Sequence, residues 1–138
     1  MKLVIDTNRL MAALLKTSAS REIILSEKIE FYSPEYMIKE IEKHRKYLLK
    51  KSKLSNEDFN FLLSTLLEKI SLVPFEEFKH KYMDAVEIMI NIDITDSPFI
   101  ALGLAMKADG IWTKDKGYYK QNELKVYSTK ELLNFIKK

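Results

Sequence analysis

Apolar positions recur along this chain with two alternating periods. Lys2 to Ile5 (KLVI) is a short apolar run halted by Asp6-Thr7-Asn8, the pattern of a buried strand ending in a polar loop. Arg9 to Lys16 and Ser20 to Lys28 then have helical spacing, with Ser18 or Ser20 available as cap. Phe31-Tyr32 reads as a second strand, and Ser33-Pro34 leads into a helix that carries Met37, Ile38, Ile41, Tyr47 and Leu48. Ser55 and Asp58, at capping-box spacing, announce a further helix through Phe59, Leu62, Leu63, Leu66 and Leu67. Ser71 to Phe75 is a third strand, placed by Pro74 at a sheet edge or at its own last residue.

Glu76 to Ile90 puts Phe78, Tyr82, Val86 and Met89 on one helical face. The run PFIALGLAMKA, opened by Pro98 and closed by Gly110, predicts a helix apolar enough to lie against a sheet. Ile111 to Thr113 and Lys125 to Ser128 are fourth and fifth strands, and Glu131 to Ile136 is a terminal helix capped by Ser128 or Thr129. Short strands alternating with helices predict an α/β fold: a three-layer α/β/α sandwich around a mostly parallel sheet of about five strands.

Composition narrows this picture without redirecting it. The 138 residues are 46% hydrophobic and 31% charged, with 3 glycines and 3 prolines, so one domain over residues 1–138 is expected. The absence of cysteine excludes a disulfide framework and any thiolate-based metal site or nucleophile. The apolar stretch between Lys2 and Asp6 is too short for a signal-peptide core, and nowhere do about 18 uncharged apolar residues run together, so the chain reads as cytoplasmic. A formal charge of +3 permits contact with a polyanion but identifies none. The basic stretch from Lys43 to Lys53, with Arg45, Lys46, Lys50 and Lys51, is either a solvated helix end or a nucleic-acid contact.

The candidate chemistry lies in the carboxylates. Open parallel sheets place their ligand sites beyond the carboxyl ends of the strands. Asp6 follows the first strand and Asp115 the fourth, while Asp96 begins the helix that returns to strand four, so all three fall on one rim. Glu40, about two turns into the helix leaving strand two, is near enough to reach it. Taken singly, each acid has an ordinary alternative as a turn former, a cap or a solvated surface group. Taken together they would repel one another unless a cation neutralised them, and an oxygen-only donor set selects Mg²⁺ or Mn²⁺.

Four segments carry a resemblance that periodicity alone does not supply. VIDTN, SPEYMIKEIEK, DITDSPFIALGLAMKADGIWTKD and KVYSTKELLNF resemble the PIN domain family across essentially the whole chain. The resemblance implies an α/β/α sandwich and a metal-dependent ribonuclease; many small prokaryotic members are toxins inhibited by cognate antitoxins. Its acidic constellation falls on Asp6, Glu40, Asp96 and Asp115, with Asp93 matching a frequent additional acid, its small polar residue on Asn8, and its late-strand hydroxyl on Thr113. Two departures stand out: Arg9 follows DTN where an apolar residue is more usual, and Lys114 and Lys116 flank Asp115.

The expected activity is therefore hydrolysis of RNA by a Mg²⁺- or Mn²⁺-dependent endonuclease, with the ions held by Asp6, Asp96, Asp115 and Glu40 and with Asp93 as an additional candidate ligand. Water activated by the ions attacks in line, so products carry a 5′-phosphate and a 3′-hydroxyl. Asn8 and Thr113 are expected to orient ligands, and Arg9, Lys114, Lys116, Arg45, Lys46, Lys50 and Lys51 to contact RNA. Tyr118-Tyr119 either stacks on bases or covers the sheet edge. The apolar helix of Phe59, Phe61, Leu62, Leu66 and Leu67 suggests a homodimer face or a seat for a partner such as an antitoxin. The rival readings are a DNA or structure-specific nuclease with the same ions, and a non-catalytic RNA- or partner-binding module. An aspartyl-nucleophile phosphatase fits less well, because DTN lacks the second aspartate such enzymes use.

Overall fold

The computed structural model describes residues 1–16 and 18–138. Its strands are β1 (Lys2–Ile5), β2 (Glu30–Pro34), β3 (Ile70–Val73), β4 (Gly110–Trp112) and β5 (Val126–Tyr127). They form one sheet in the order β3-β2-β1-β4-β5, and every pairing is parallel. The helices are α1 (Thr7–Leu15), α2 (Ala19–Leu25), α3 (Tyr36–Lys43), α4 (Arg45–Ser52), α5 (Asn56–Leu67), α6 (Tyr82–Met89), α7 (Ser97–Met106) and α8 (Thr129–Ile136). This is the α/β fold that the alternation of elements predicts.

Strand alternation sorts the core into two halves. Leu3 and Ile5 point to one face of the sheet, where they meet Leu10, Leu14, Met37, Ile41, Phe59, Leu66 and Leu132 from α1, α3, α5 and α8. Val4 and Ile111 point to the other, against Phe78, Met89, Phe99 and Leu102 from the α6–α7 side. The connections through α1 to α5 therefore carry the sheet outward from β1 to β3 over one face. The connection through α6 and α7 returns over the other face to place β4 on the far side of β1. Strand order reverses at β1 and β4, and their carboxyl ends open a crevice there.

Several local readings are corrected. Gly110 does not close a helix: α7 ends at Met106 with Lys107 in the left-handed region (φ 54°), and Gly110 is the first residue of β4. A Cβ at Gly110 would lie 2.5 Å from the Lys125 carbonyl oxygen and 2.6 Å from the Tyr127 ring, so the approach of β5 requires glycine there. The helix expected from Met37 to Leu48 is two helices, broken at His44 (φ −102°, ψ 8°). The helix expected from Glu76 begins only at Tyr82, after short 3-10 turns at Phe75–Glu77 and Lys79–Lys81. Pro74 follows β3, which is an edge strand. Ser55 accepts from Asp58 N–H at 3.1 Å, and Ser128 with Glu131 closes a reciprocal capping box on α8.

Candidate active site

At the crevice, β1 delivers Asp6 as it turns into α1. The residue is buried, its backbone N–H pairs with the Trp112 carbonyl at 3.1 Å, and its side chain makes no capping bond to α1. That leaves the carboxylate for other partners. Oδ2 accepts from Thr113 Oγ1 at 2.7 Å, and the same Thr113 oxygen accepts from the Asp115 backbone N–H at 2.9 Å. One buried hydroxyl thus ties the ends of β1 and β4 together. Asp115 Oδ1 accepts from Gly117 N–H at 2.9 Å, which shapes the turn after β4.

Asp96 reaches the crevice from the opposite direction. A 3-10 turn (Ile94–Asp96) precedes α7, and Asp93 braces it by accepting from Thr95 N–H at 3.0 Å and Thr95 Oγ1 at 2.6 Å. Asp96 occupies the N-cap position of α7 yet makes no capping bond; its Oδ2 is sealed from solvent outside regular hydrogen-bond geometry, with the Tyr118 phenol as the donor nearest its carboxylate. A buried carboxylate oxygen with only an ill-aligned phenol beside it is costly unless something outside the chain satisfies it. Asp93, Asp96 and Asp115 each offer a carboxylate oxygen within 4.8 Å of the others.

Electrostatics adds the fourth carboxylate to this set. Burial, and after it the charges of Asp6, Asp93 and Asp115, push the Asp96 carboxyl up to about 7. Asp6 is also raised from its ordinary value, by burial first and by Glu40 and Asp115 in addition, while the Thr113 hydrogen bond opposes the rise. Glu40, on α3, accepts a hydrogen bond from the Thr7 hydroxyl. Thr7 is itself buried, and hydrophobic periodicity does not single it out. Its signal was its place inside VIDTN, directly after the first acid.

The remaining predicted residues divide into groups. Asn8 Oδ1 accepts from Arg9 Nε at 3.3 Å. Arg9 Nη1 also donates to Thr129 Oγ1 at 3.3 Å; burial lowers the guanidinium pKa, and the charge of Asp6 pulls it back up. Arg9, Lys114 and Lys116 line a cavity of about 440 Å³ together with Tyr119, Thr129 and Lys130, beyond the ends of β4 and β5. Arg45 lies elsewhere, at the α3–α4 junction. It grips Glu42 through two 2.9 Å bonds, donates to Asn60 at 2.8 Å and covers the Phe59 ring. Lys46, Lys50 and Lys51 are exposed on α4.

Tyr118 does not stack outward or cover an edge. It is fully buried beneath the acids, close to Asp96, with its phenolic oxygen at no regular hydrogen-bond geometry. Burial and the surrounding carboxylates drive its pKa upward, so it stays a neutral phenol. Of the apolar residues on α5, Phe59 and Leu66 are buried and Phe61 is 75% exposed.

The donor set fits a hard divalent cation: clustered carboxylates, no thiolate, one sealed oxygen outside regular hydrogen-bond geometry, and Asp6 and Asp96 raised above their ordinary pKa by burial and then by neighbouring carboxylates. Among the described residues, no helix is long and apolar enough to cross a membrane. A family model described as PIN domain matches residues 4–133. No curated protein matches the chain significantly.

Proposed function

This chain belongs to the PIN domain family, whose members are generally metal-dependent nucleases, and from that premise we propose that it is a divalent-metal-dependent endoribonuclease. One observation carries the reading: the carboxylate oxygens of Asp93, Asp96 and Asp115 converge within 4.8 Å at the switch point of the sheet, beside buried Asp6. In this reading Asp6, Asp96 and Asp115 hold the cation, with Glu40 and Asp93 completing the shell. Mg²⁺ or Mn²⁺ bound there would lower the pKa of water and offset charge on the phosphodiester oxygens.

The chain's own groups then have distinct tasks. Thr113 fixes the rotamer of Asp6 and the backbone of Asp115 with one oxygen, and Thr7 does the same for Glu40. Tyr118 floors the site and excludes water beneath Asp96. Arg9, Lys114 and Lys116, joined by Lys130, attract the phosphate backbone next to the acids. The reading extends to a cytoplasmic toxin, a single domain over residues 1–138, restrained by an antitoxin. The exposed Phe61 and Tyr47 on α5 and α4 offer apolar surface for a homodimer or that partner.

The test is incubation of the purified protein with labelled single-stranded RNA and matched DNA in Mg²⁺ or Mn²⁺, with EDTA and Asp96→Asn controls. RNA cut to 5′-phosphate products, with cutting lost in both controls, is the expected result. Cleavage of DNA alone replaces the substrate, and products ending in 2′,3′-cyclic phosphate overturn the hydrolytic reading.

A further inference from the structure

A second cavity lies on the other side of the acids from the basic one. It has a volume of about 520 Å³ and opens beyond the carboxyl ends of β2 and β3. Tyr36, Phe75, Phe78 and Tyr82 line it together with Pro34, Pro98 and the oppositely charged Glu35 and Lys39. Pro98 is two residues from Asp96, and Lys39 precedes Glu40, so the cavity adjoins the acidic rim on two sides. Tyr36 and Phe75 are 48% and 47% exposed, although aromatic rings of this size are usually covered in a folded monomer. Phe75 is also held still, edge-on to Phe78 at 5.3 Å and to Tyr82 at 5.5 Å.

Along the strand order, the rim therefore runs from an aromatic cavity over β3 and β2, through carboxylates at β1 and β4, to a basic cavity beyond β4 and β5. We propose that the aromatic cavity takes one unstacked base of a single-stranded nucleic acid whose next phosphates lie over the acids and the basic cavity. The inference rests on the nuclease reading for its orientation and adds to it a subsite for one base. The volume suits a small planar ligand, pre-set rings offer a stacking surface at low entropic cost, and Lys39 makes no ion pair among the described residues, so it is available to the backbone phosphate. The charge along the path favours a nucleotide over a purely apolar occupant, since Lys39 at one end and Arg9, Lys114, Lys116 and Lys130 at the other outnumber the Glu35 that lines the aromatic cavity. A duplex keeps its bases stacked inside and cannot fill the cavity without extruding one.

The test measures binding, so that it stands apart from cleavage. Fluorescein-labelled single-stranded RNA is titrated with Asp96→Asn protein in Mg²⁺, with a single abasic position walked along the strand. Tyr36→Ala in that background weakens binding of intact RNA by roughly 5- to 150-fold, the loss of about one stacked base. One abasic position gives a similar loss, and the two together give no more than either alone. Phe75→Leu, which keeps an apolar side chain against Phe78 and Tyr82, gives a smaller loss in the same direction and guards against misfolding. Duplex RNA binds more weakly and ignores Tyr36→Ala. Unchanged binding by both variants, or losses that add at every abasic position, overturns the proposal and leaves the cavity to a protein partner. If native protein cuts no RNA yet binding still depends on Tyr36, the cavity assignment survives and the nuclease reading falls; cleavage indifferent to Tyr36 has the opposite meaning.

Discussion

A single hydroxyl holds two of the acids. Thr113 Oγ1 donates to Asp6 and accepts from the Asp115 backbone, so Thr113→Val removes both bonds while keeping the shape of a buried strand residue. Activity and metal affinity should each fall about 10- to 100-fold, with Thr113→Ser restoring most of both; isothermal titration with Mn²⁺ reads the affinity directly. Asp96 makes a second prediction. Its carboxyl, at about 7 in the folded chain, stands above the 3.8 of an ordinary aspartate, so between those values the folded state binds more protons than the unfolded. Stability in EDTA should therefore fall as pH rises from about 4 through 7, and added Mg²⁺ should raise Tm more at pH 8 than at pH 5.5. A Tm that climbs over that range in EDTA contradicts it. The acids at this site were legible in the sequence because they sit where apolar segments end. Thr7 and Tyr118 were not: a threonine in a turn and a tyrosine in the polar run KDKGYYK carry no periodic signal, and only the fold buries them.

Among the elements, the strands and most helices followed from periodicity, whereas their ends depended on contacts with distant segments. Gly110 is the clearest case. A glycine after an apolar helix looks like its terminator, but the backbone of β5, fifteen residues on at Lys125, is what demands the missing side chain. Gly110→Ala should cost about 1–3 kcal/mol in denaturant unfolding, because the neighbour it meets is a carbonyl oxygen and not a flexible tip. Ser128→Ala removes half of the capping box on α8 and should cost about 1 kcal/mol. The break at His44 was hidden because the residues on both sides are good helix formers, and Tyr47, which extended the apparent apolar stripe, is 53% exposed.

Over the whole molecule, charge separates into parts with different work. The sequence shows a dense basic stretch and a few cations flanking the acids, and both groups are expected to contact RNA. The one arginine of the dense stretch is committed to Glu42, Asn60 and Phe59, whereas Lys114, Lys116 and Lys130 gather around a cavity beside the acids. Lys116→Gln should reduce the slope of log affinity against log salt by about 1, and Arg45→Gln should lower Tm while leaving that slope unchanged. Strand order, the other property of the whole, was beyond local pattern: parallel pairing placed Asp6 and Asp115 on one edge, but not on neighbouring strands.

That adjacency also sets when the acidic centre assembles. Asp6 and Thr113 meet across 107 residues, and β4 can join β1 only after almost all of the intervening chain exists. A ribosome making this protein therefore carries Asp6 for most of the synthesis with no partner for it. Thr113 and Asp115 must clear the exit tunnel before the centre can close. If the proposed ribonuclease activity holds, this order of manufacture keeps the growing chain inactive toward the messenger being read and the ribosome reading it.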